Sequence, residues 1–221
     1  MDLRSGEVRT LADRLRRARE APRAIPAGLM RYLRGLRVAP GRLVAGPHSE
    51  IRGDGTWSID GKLTVGVVGM PFSGAGDRTL VANGGVLAVV GHVLVNRGAR
   101  IAIDEGATLS IGAGTFINCF SIVHATRSIT IGAGCAISWR CEILDSNYHD
   151  LAYDGRRPEQ RAVTIGDHVW VGAGCRILAG SAIGPGCVIA AGTTVSGTFP
   201  ARSLIGGSPA QVLRANVDWT L

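Results

Sequence analysis

The sequence predicts an all-β chain wound as a parallel β-helix. Three observations carry this: a six-residue beat, a composition suited to tight corners, and one polar segment that interrupts the beat. Ile165, Val171, Ile177, Ile183, Ile189 and Val195 follow one another at intervals of six without a slip. A helix needs a period near 3.6 and a strand a period of 2, so neither alone gives this spacing. In a hexapeptide repeat each unit makes one short flat side and one turn, and the recurring aliphatic points to a continuous core. The residue after each beat is usually small (Gly166, Gly172, Gly184, Ala190). So is the one four places on (Val169, Cys175, Ser181, Cys187, Thr193).

Upstream, Ile131, Ile137 and Ile143 are in step, as are Ile111, Ile117 and Val123. Before them the pattern loosens: Val93 and Ala99 keep the spacing, but Glu105 falls where an aliphatic is expected. Val123 and Ile131 are offset by eight, and Ile143 and Ile165 by 22, which is no multiple of six. The second gap predicts a segment extruded from the prism over 147–161, polar and turn-rich, from Asn147 through Asp154-Gly155 and Pro158 to Arg161. A loop thrown out of a rigid solenoid is a natural place for function. The expected organisation is a basic helical segment over 1–42, leading strands and an irregular coil over 43–90, the β-helix over 91–206 and a tail over 207–221. At three units per coil, 91–199 makes about six coils, a prism roughly 30 Å long.

The chain has 221 residues, with 32 glycines and 5% aromatics, consistent with a narrow core of aliphatic and small side chains. Cys135, Cys141, Cys175 and Cys187 fall at the inward small position, and Cys119 lies two residues after Ile117. An odd number of cysteines without CxxC spacing predicts reduced thiols in a cytoplasmic protein, not a disulfide or zinc framework. Residues 1–20 carry charges throughout and have no apolar signal-peptide run, and no apolar stretch of about 18 residues is present.

Charge is uneven. Residues 1–42 hold 11 arginines against four acids, a net +7 equal to that of the whole chain. Val8, Leu11 and Leu15 line one face of a first helical piece, and Ile25, Leu29, Tyr32, Leu33 and Leu36 a second, with Pro22 and Pro26 between. Two readings stand: a peripheral contact with an anionic membrane surface, or a cap over the end of the β-helix with solvated arginines. Nucleic acid is not an expected partner, because the block lacks interleaved aromatics and a recognisable motif.

The stretch Ile137-Ser138-Trp139-Arg140-Cys141-Glu142-Ile143-Leu144-Asp145-Ser146-Asn147-Tyr148-His149 resembles the signature of hexapeptide-repeat acyltransferases that modify bacterial surface polysaccharides. Ile165-Gly166-Asp167-His168-Val169-Trp170-Val171-Gly172-Ala173-Gly174 is similar to the wider superfamily, which includes the galactoside and maltose O-acetyltransferases. Gly61–Gly66 with Pro71-Phe72, Gly206–Ala210 with Arg214, and Asn216–Trp219 resemble the polysaccharide branch, so the likeness spans 61–219. It implies a left-handed β-helix forming a homotrimer, with a site in each cleft between neighbouring prisms. It implies acetyl-CoA as donor, a sugar hydroxyl as acceptor (a small molecule or a lipid-linked precursor at the inner face of the membrane), and no metal requirement.

An acyl transfer to a hydroxyl needs a base and an oxyanion donor. Imidazole titrates near neutral pH and can take the hydroxyl proton. His149, in the extruded loop, matches the family's catalytic histidine; His48, His92, His124 and His168 are expected to be structural or turn residues. The resemblance assigns Asn118 to the acyl or acceptor site and the Ala173 backbone N–H to the oxyanion. Trp170 walls the cleft, and Ala191, Gly192, Arg202 and Arg214 join Ala173 and Trp170 on the coenzyme side. Asp145 either orients His149, binds the acceptor, or stabilises the corner where the loop leaves. Trp139 and Tyr148 are candidates for sugar stacking, with trimer packing as the other reading. Three positions depart from the sugar acetyltransferases: Gly197 and Gln211 stand where basic residues are usual, and Thr126 where the galactoside enzymes have an acid. Remaining alternatives are a serine or amino-sugar acyltransferase on the same fold and a β-helix trimer without catalysis. A γ-class carbonic anhydrase would need three histidines converging on zinc, and only His149 lies in the relevant segment.

Overall fold

The structure is a computed structural model and describes residues 42–74, 76–149 and 162–220. The expected basic helices of 1–42 and most of the extruded loop lie outside these residues. Within them the chain winds as a three-sided parallel β-helix. One face is a seven-stranded parallel sheet: Ser49–Arg52, Thr79–Asn83, Arg100–Ile103, Ile122–Ala125, Glu142–Leu144, Arg176–Ile177 and Thr194–Val195. The other two faces are joined into a single 14-stranded sheet.

The join comes from two ten-residue strands, Thr56–Val65 and Val86–Val95, which run through a corner without breaking. Val86 to Val89 pair with Thr108 to Ile111 on one face, whereas Leu94 and Val95 pair with Phe116 and Ile117 on the next. Gly61 and Gly91 make the bend, both at positive φ; a Cβ on Gly61 would lie 2.2 Å from the Gly91 carbonyl oxygen. Coil stacking therefore begins at Leu43, ahead of the strict beat that starts near residue 91. Glu105, out of step in the sequence, is an exposed turn residue.

The beat residues form the core. Ile117, Val123, Ile137, Ile143, Val171, Ile177 and Val195 are fully buried. Burying each such side chain is worth about 1.5–3 kcal/mol, and their stacking makes one uninterrupted apolar column. The small inward positions have a second use. The thiols of Cys135, Cys141, Cys175 and Cys187 donate to the carbonyls of Gly166, Gly172, Ala190 and Pro200 on the next coil, at 3.0–3.2 Å. Thr115 and Ser121 do the same to Gly132 and Ser138, at 2.6 and 2.7 Å. Their oxygens also accept the N–H groups of Cys135 and Cys141. Cysteine here replaces a hydroxyl in a corner clip that ties each coil to the one above. Ser203 occupies the same column one coil beyond Cys187, and its buried hydroxyl has no partner. Among the described residues no further parallel coil follows it, and its next strand is the antiparallel Ala210–Ala215.

The chain ends in an antiparallel hairpin, Ser203–Gly207 against Ala210–Ala215, and a short tail. Among the described residues no helix is long and apolar enough to cross a membrane.

Burial pushes the Cys141 thiol up from 9.0 to about 11 and raises those of Cys135, Cys175 and Cys187 in the same direction. The unfolded chain thus ionises first as pH rises, so the contribution from Cys141 is complete below pH 9 and is lost towards pH 11. We expect iodoacetamide at pH 8 to leave these four thiols unmodified in the native protein and to alkylate them in guanidinium, as read by peptide mass spectrometry. Fast native labelling would contradict this burial.

Candidate active site

A groove of about 610 Å³ runs along the second face, at the turns that lead into the seven-stranded third face. Its aromatic walls are Trp139, Trp170 and Trp219, its floor includes Val188 and Ile189, and Asn118 and Ala173 bring polar groups into it. The lining follows from the stacking: Phe116, Ala136, Trp170 and Val188 are register partners on four successive coils, with the aliphatic beside each turned inward. Trp170 and Trp139 are 43% and 38% exposed. The Trp170 indole N–H donates to Ser138 Oγ at 3.3 Å.

Asn118 is buried beneath the groove and accepts a 2.7 Å hydrogen bond at Oδ1 from the Asn96 amide. That bond leaves the Asn118 amide N–H₂ as its donor towards a ligand. The Ala173 carbonyl is taken by the Gly192 N–H at 2.9 Å, while its own N–H donates to no backbone carbonyl among the described residues. Of the expected coenzyme-side residues, Trp170, Ala173 and Ala191 line the groove and Gly192 braces Ala173. Arg202 and Arg214 are not in the lining; Arg214 lies on the exposed outer strand of the hairpin.

The tail contributes a wall that carried no site role in the sequence reading. Trp219 is nearly buried, stacked on His168 with ring centres 4.3 Å apart and planes within 8°. Its indole N–H donates to the His168 carbonyl at 2.8 Å, and His168 Nε2 donates to the Trp219 carbonyl at 3.0 Å. His168 thus does more than turn the chain: it fastens the tail along the groove, 51 residues away. The available signal was a lone tryptophan near the end of an aromatic-poor chain. Phe72, on the loop after Thr56–Val65, meets Trp139 edge-to-face at 5.5 Å and extends the outer rim.

His149 is exposed and lies off the groove, where the chain leaves the third face after Glu142–Leu144. Asp145, four residues earlier, is fully buried and takes the corner role. Its Oδ1 accepts from the N–H and hydroxyl of Thr126 at 2.8 and 2.9 Å; its Oδ2 accepts from the N–H groups of Arg127 and Ser128 at 2.8 and 2.6 Å. A carboxylate has about four acceptor sites, so these four bonds occupy them, leaving none to orient His149 or hold an acceptor. The clamped corner is where the beat slips from six to eight. Thr126 is committed to the same clamp. Tyr148 is 56% exposed; its hydroxyl reaches His124 and its ring tilts against that imidazole at 5.5 Å. Burial, with the charges of Asp104 and Asp145, pushes the Tyr148 hydroxyl above its ordinary value, so it stays protonated at neutral pH. Among the described residues no group of three His, Cys, Asp or Glu side chains is placed to hold a metal ion.

Fold and groove define a hexapeptide-repeat protein of the transferase kind. Residues 162–197 match the family described as Bacterial transferase hexapeptide (six repeats). The hexapeptide-repeat containing-acetyltransferase VCA0836 of Vibrio cholerae is 31% identical, over 53% of this chain and 68% of that one, with a TM-score of 0.47. Nodulation protein L of Rhizobium meliloti is 36% identical over 117 residues, 49% of this chain and 61% of that protein. The polySia specific acetyltransferase NeuO shares the fold at a TM-score of 0.52 and 21% identity, over 81% of this chain and 88% of its own. The chain belongs to the hexapeptide-repeat acyltransferase family, whose fold is the left-handed parallel β-helix. It spans 56–63% of the length of the first curated relatives it matches.

Asp145→Ala would orphan three backbone N–H groups at a buried corner, at about 1–3 kcal/mol each before relaxation. We expect a loss of roughly 3 kcal/mol in denaturant unfolding, with coenzyme affinity unchanged at temperatures where the variant is folded. Unchanged stability with lost turnover would return Asp145 to a role beside His149.

Proposed function

We propose that this protein transfers an acetyl group from acetyl-CoA to a hydroxyl of a sugar or surface-polysaccharide precursor. The observation that carries the reading is the groove, where an apolar aromatic trough holds the Asn118 amide and the free N–H of Ala173. A thioester arm fits such a trough by apolar contact, with few placed polar groups fixing its carbonyl. His149 takes the proton from the acceptor hydroxyl as its oxygen attacks the thioester carbon. The carbonyl oxygen gains charge at the Ala173 N–H, a kind of contact worth roughly 3 kcal/mol elsewhere. Collapse expels the coenzyme thiolate, and the proton held on His149 returns to it.

Trp139, beside the exposed Phe72, offers the acceptor an aromatic surface. The fold-sharing NeuO, described as specific for polySia, is a precedent for a polymeric sugar on this architecture. His149 and the groove sit on different faces of one prism, so the reading needs a neighbour whose groove faces His149. The assembly we propose is the homotrimer. The basic segment 1–42 is the candidate contact with an anionic membrane carrying a lipid-linked acceptor.

Light scattering should give a mass three times the 23.0 kDa of the chain. A stable single-chain species with full activity would exclude a shared site. His149→Ala should lower acyl transfer by ~10²–10⁴-fold while the trimer and acetyl-CoA binding by calorimetry persist. Near-normal turnover in that variant would put the base elsewhere.

A further inference from the structure

Three polar side chains on the third face are joined in a line that ends beside His149. Asp104 follows the strand Arg100–Ile103, His124 lies in Ile122–Ala125, and Tyr148 lies just beyond Glu142–Leu144. These strands are consecutive in the sheet, with Ala102, His124 and Leu144 in register. Asp104 Oδ1 is 2.8 Å from His124 Nε2, and His124 Nδ1 is bonded to the Tyr148 hydroxyl. A carboxylate can only accept, so Nε2 carries a proton, and in the tautomer with Nδ1 bare that nitrogen presents its lone pair. In that tautomer the tyrosine hydroxyl donates, and its raised pKa keeps that proton available.

The backbone around Tyr148 is held as well. Its φ is +61°, in the left-handed region, and its N–H donates to Ser146 Oγ at 3.0 Å. Three residues earlier, Asp145 is itself pinned to the coil below by four bonds. The Asp104 N–H donates to the Ala125 carbonyl at 2.9 Å, so the first member of the line is fixed at its own backbone. A tyrosine with a half-exposed ring needs none of this to be tolerated at a loop. The line costs three side chains their freedom, and what it fixes is the direction in which the chain leaves the prism.

We propose that Asp104, His124 and Tyr148 form a strap across three coils that positions His149. They are positioning residues: none lines the groove, and their effect reaches the reaction through the placement of the neighbouring imidazole. This rests on the reading of His149 as the base. Misplacing a reacting group by about 1 Å can cost up to roughly a hundredfold in rate, so a residue next to the base is worth anchoring.

The test uses the full-length chain and two readouts that do not require turnover: amide exchange of the peptide carrying Tyr148 and His149, and the His149 imidazole NMR signal. Tyr148→Phe removes only the hydroxyl. We expect about tenfold faster exchange, the size of one lost net hydrogen bond, and a shifted His149 signal, with the melting temperature unchanged. Asp104→Ala and His124→Ala should act alike, and pairing either with Tyr148→Phe should add little. Asp104→Asn, whose amide oxygen still accepts from Nε2–H, should stay near wild type. Thiol release from acetyl-CoA with free hexoses as acceptors should fall roughly tenfold or more in kcat, with KM for acetyl-CoA unchanged. Wild-type exchange and an unshifted His149 signal in Tyr148→Phe would overturn the strap, as would effects that multiply in the double variants. Full turnover in His149→Ala would instead put the base elsewhere, leaving the strap to be judged on exchange alone.

Discussion

Everything in this molecule depends on the hydrogen bonds that run from each coil to the next. In this β-helix a strand of two to four residues is too short to be stable alone, and its N–H groups find carbonyls only on the neighbouring coil. That requirement fixes the register: Ile117 must stand over Ile137 and Ile137 over Val171, or the column of aliphatics and the backbone ladder fail together. An extra residue within a face would turn its side chains inside out. Extra residues are therefore admitted only at corners. Every departure from the beat is found there, including the two additional positions near Thr126 and the loop carrying Phe72.

Corners bear the variation, so they must be closed individually. Where the corner is regular, a hydroxyl or thiol clips it to the next coil, as Thr115 and Cys135 do in turn. Where it is widened by two residues, three N–H groups point inward without carbonyls. Asp145 supplies both oxygens to them and to the Thr126 hydroxyl. The same accounting explains the upper end, where Ser203 keeps the clip residue but no further parallel coil follows it among the described residues. There the hairpin and the tail take over, and the tail brings Trp219 to the groove as it returns.

This explains which parts could be read from the sequence. The beat residues and the small corner positions are local and repeat, so the β-helix, its core and the inward cysteines are visible as spacing. The strands Thr56–Val65 and Val86–Val95 are harder to read, because a strand that passes through a corner on a glycine buries alternate residues on either side and overlays a period of 2 on the six. Asn118, Trp170 and Ala173 could be assigned to one groove only through family likeness, since their meeting depends on stacking across coils. The pairs His168–Trp219 and Asp104–His124–Tyr148 leave no local mark at all. They connect residues 20 to 51 apart that coil stacking brings within hydrogen-bond reach. Asp145 is a third case, which spacing alone left open between chemistry and the corner. Its burial and its four partners, three backbone N–H groups and the Thr126 hydroxyl, favour the frame.

The stretch from Asp145 to His149 then has a consistent physical sense. A loop that leaves a solenoid would normally begin to fray at its first free residue, since beyond the last ladder bond nothing opposes its entropy. Here the ladder ends at Leu144, and three further anchors follow at once: the Asp145 carboxylate, the Ser146 hydroxyl and the Tyr148 ring. Each ties to a different partner, so no single rotation releases all of them. Order is thereby carried four residues past the end of the sheet, to the residue immediately before His149. A side chain one residue earlier is consumed by the anchoring, and one well into the loop would lose the precision the frame provides. His149 stands at the boundary, exposed but attached to a backbone that three successive coils hold in place.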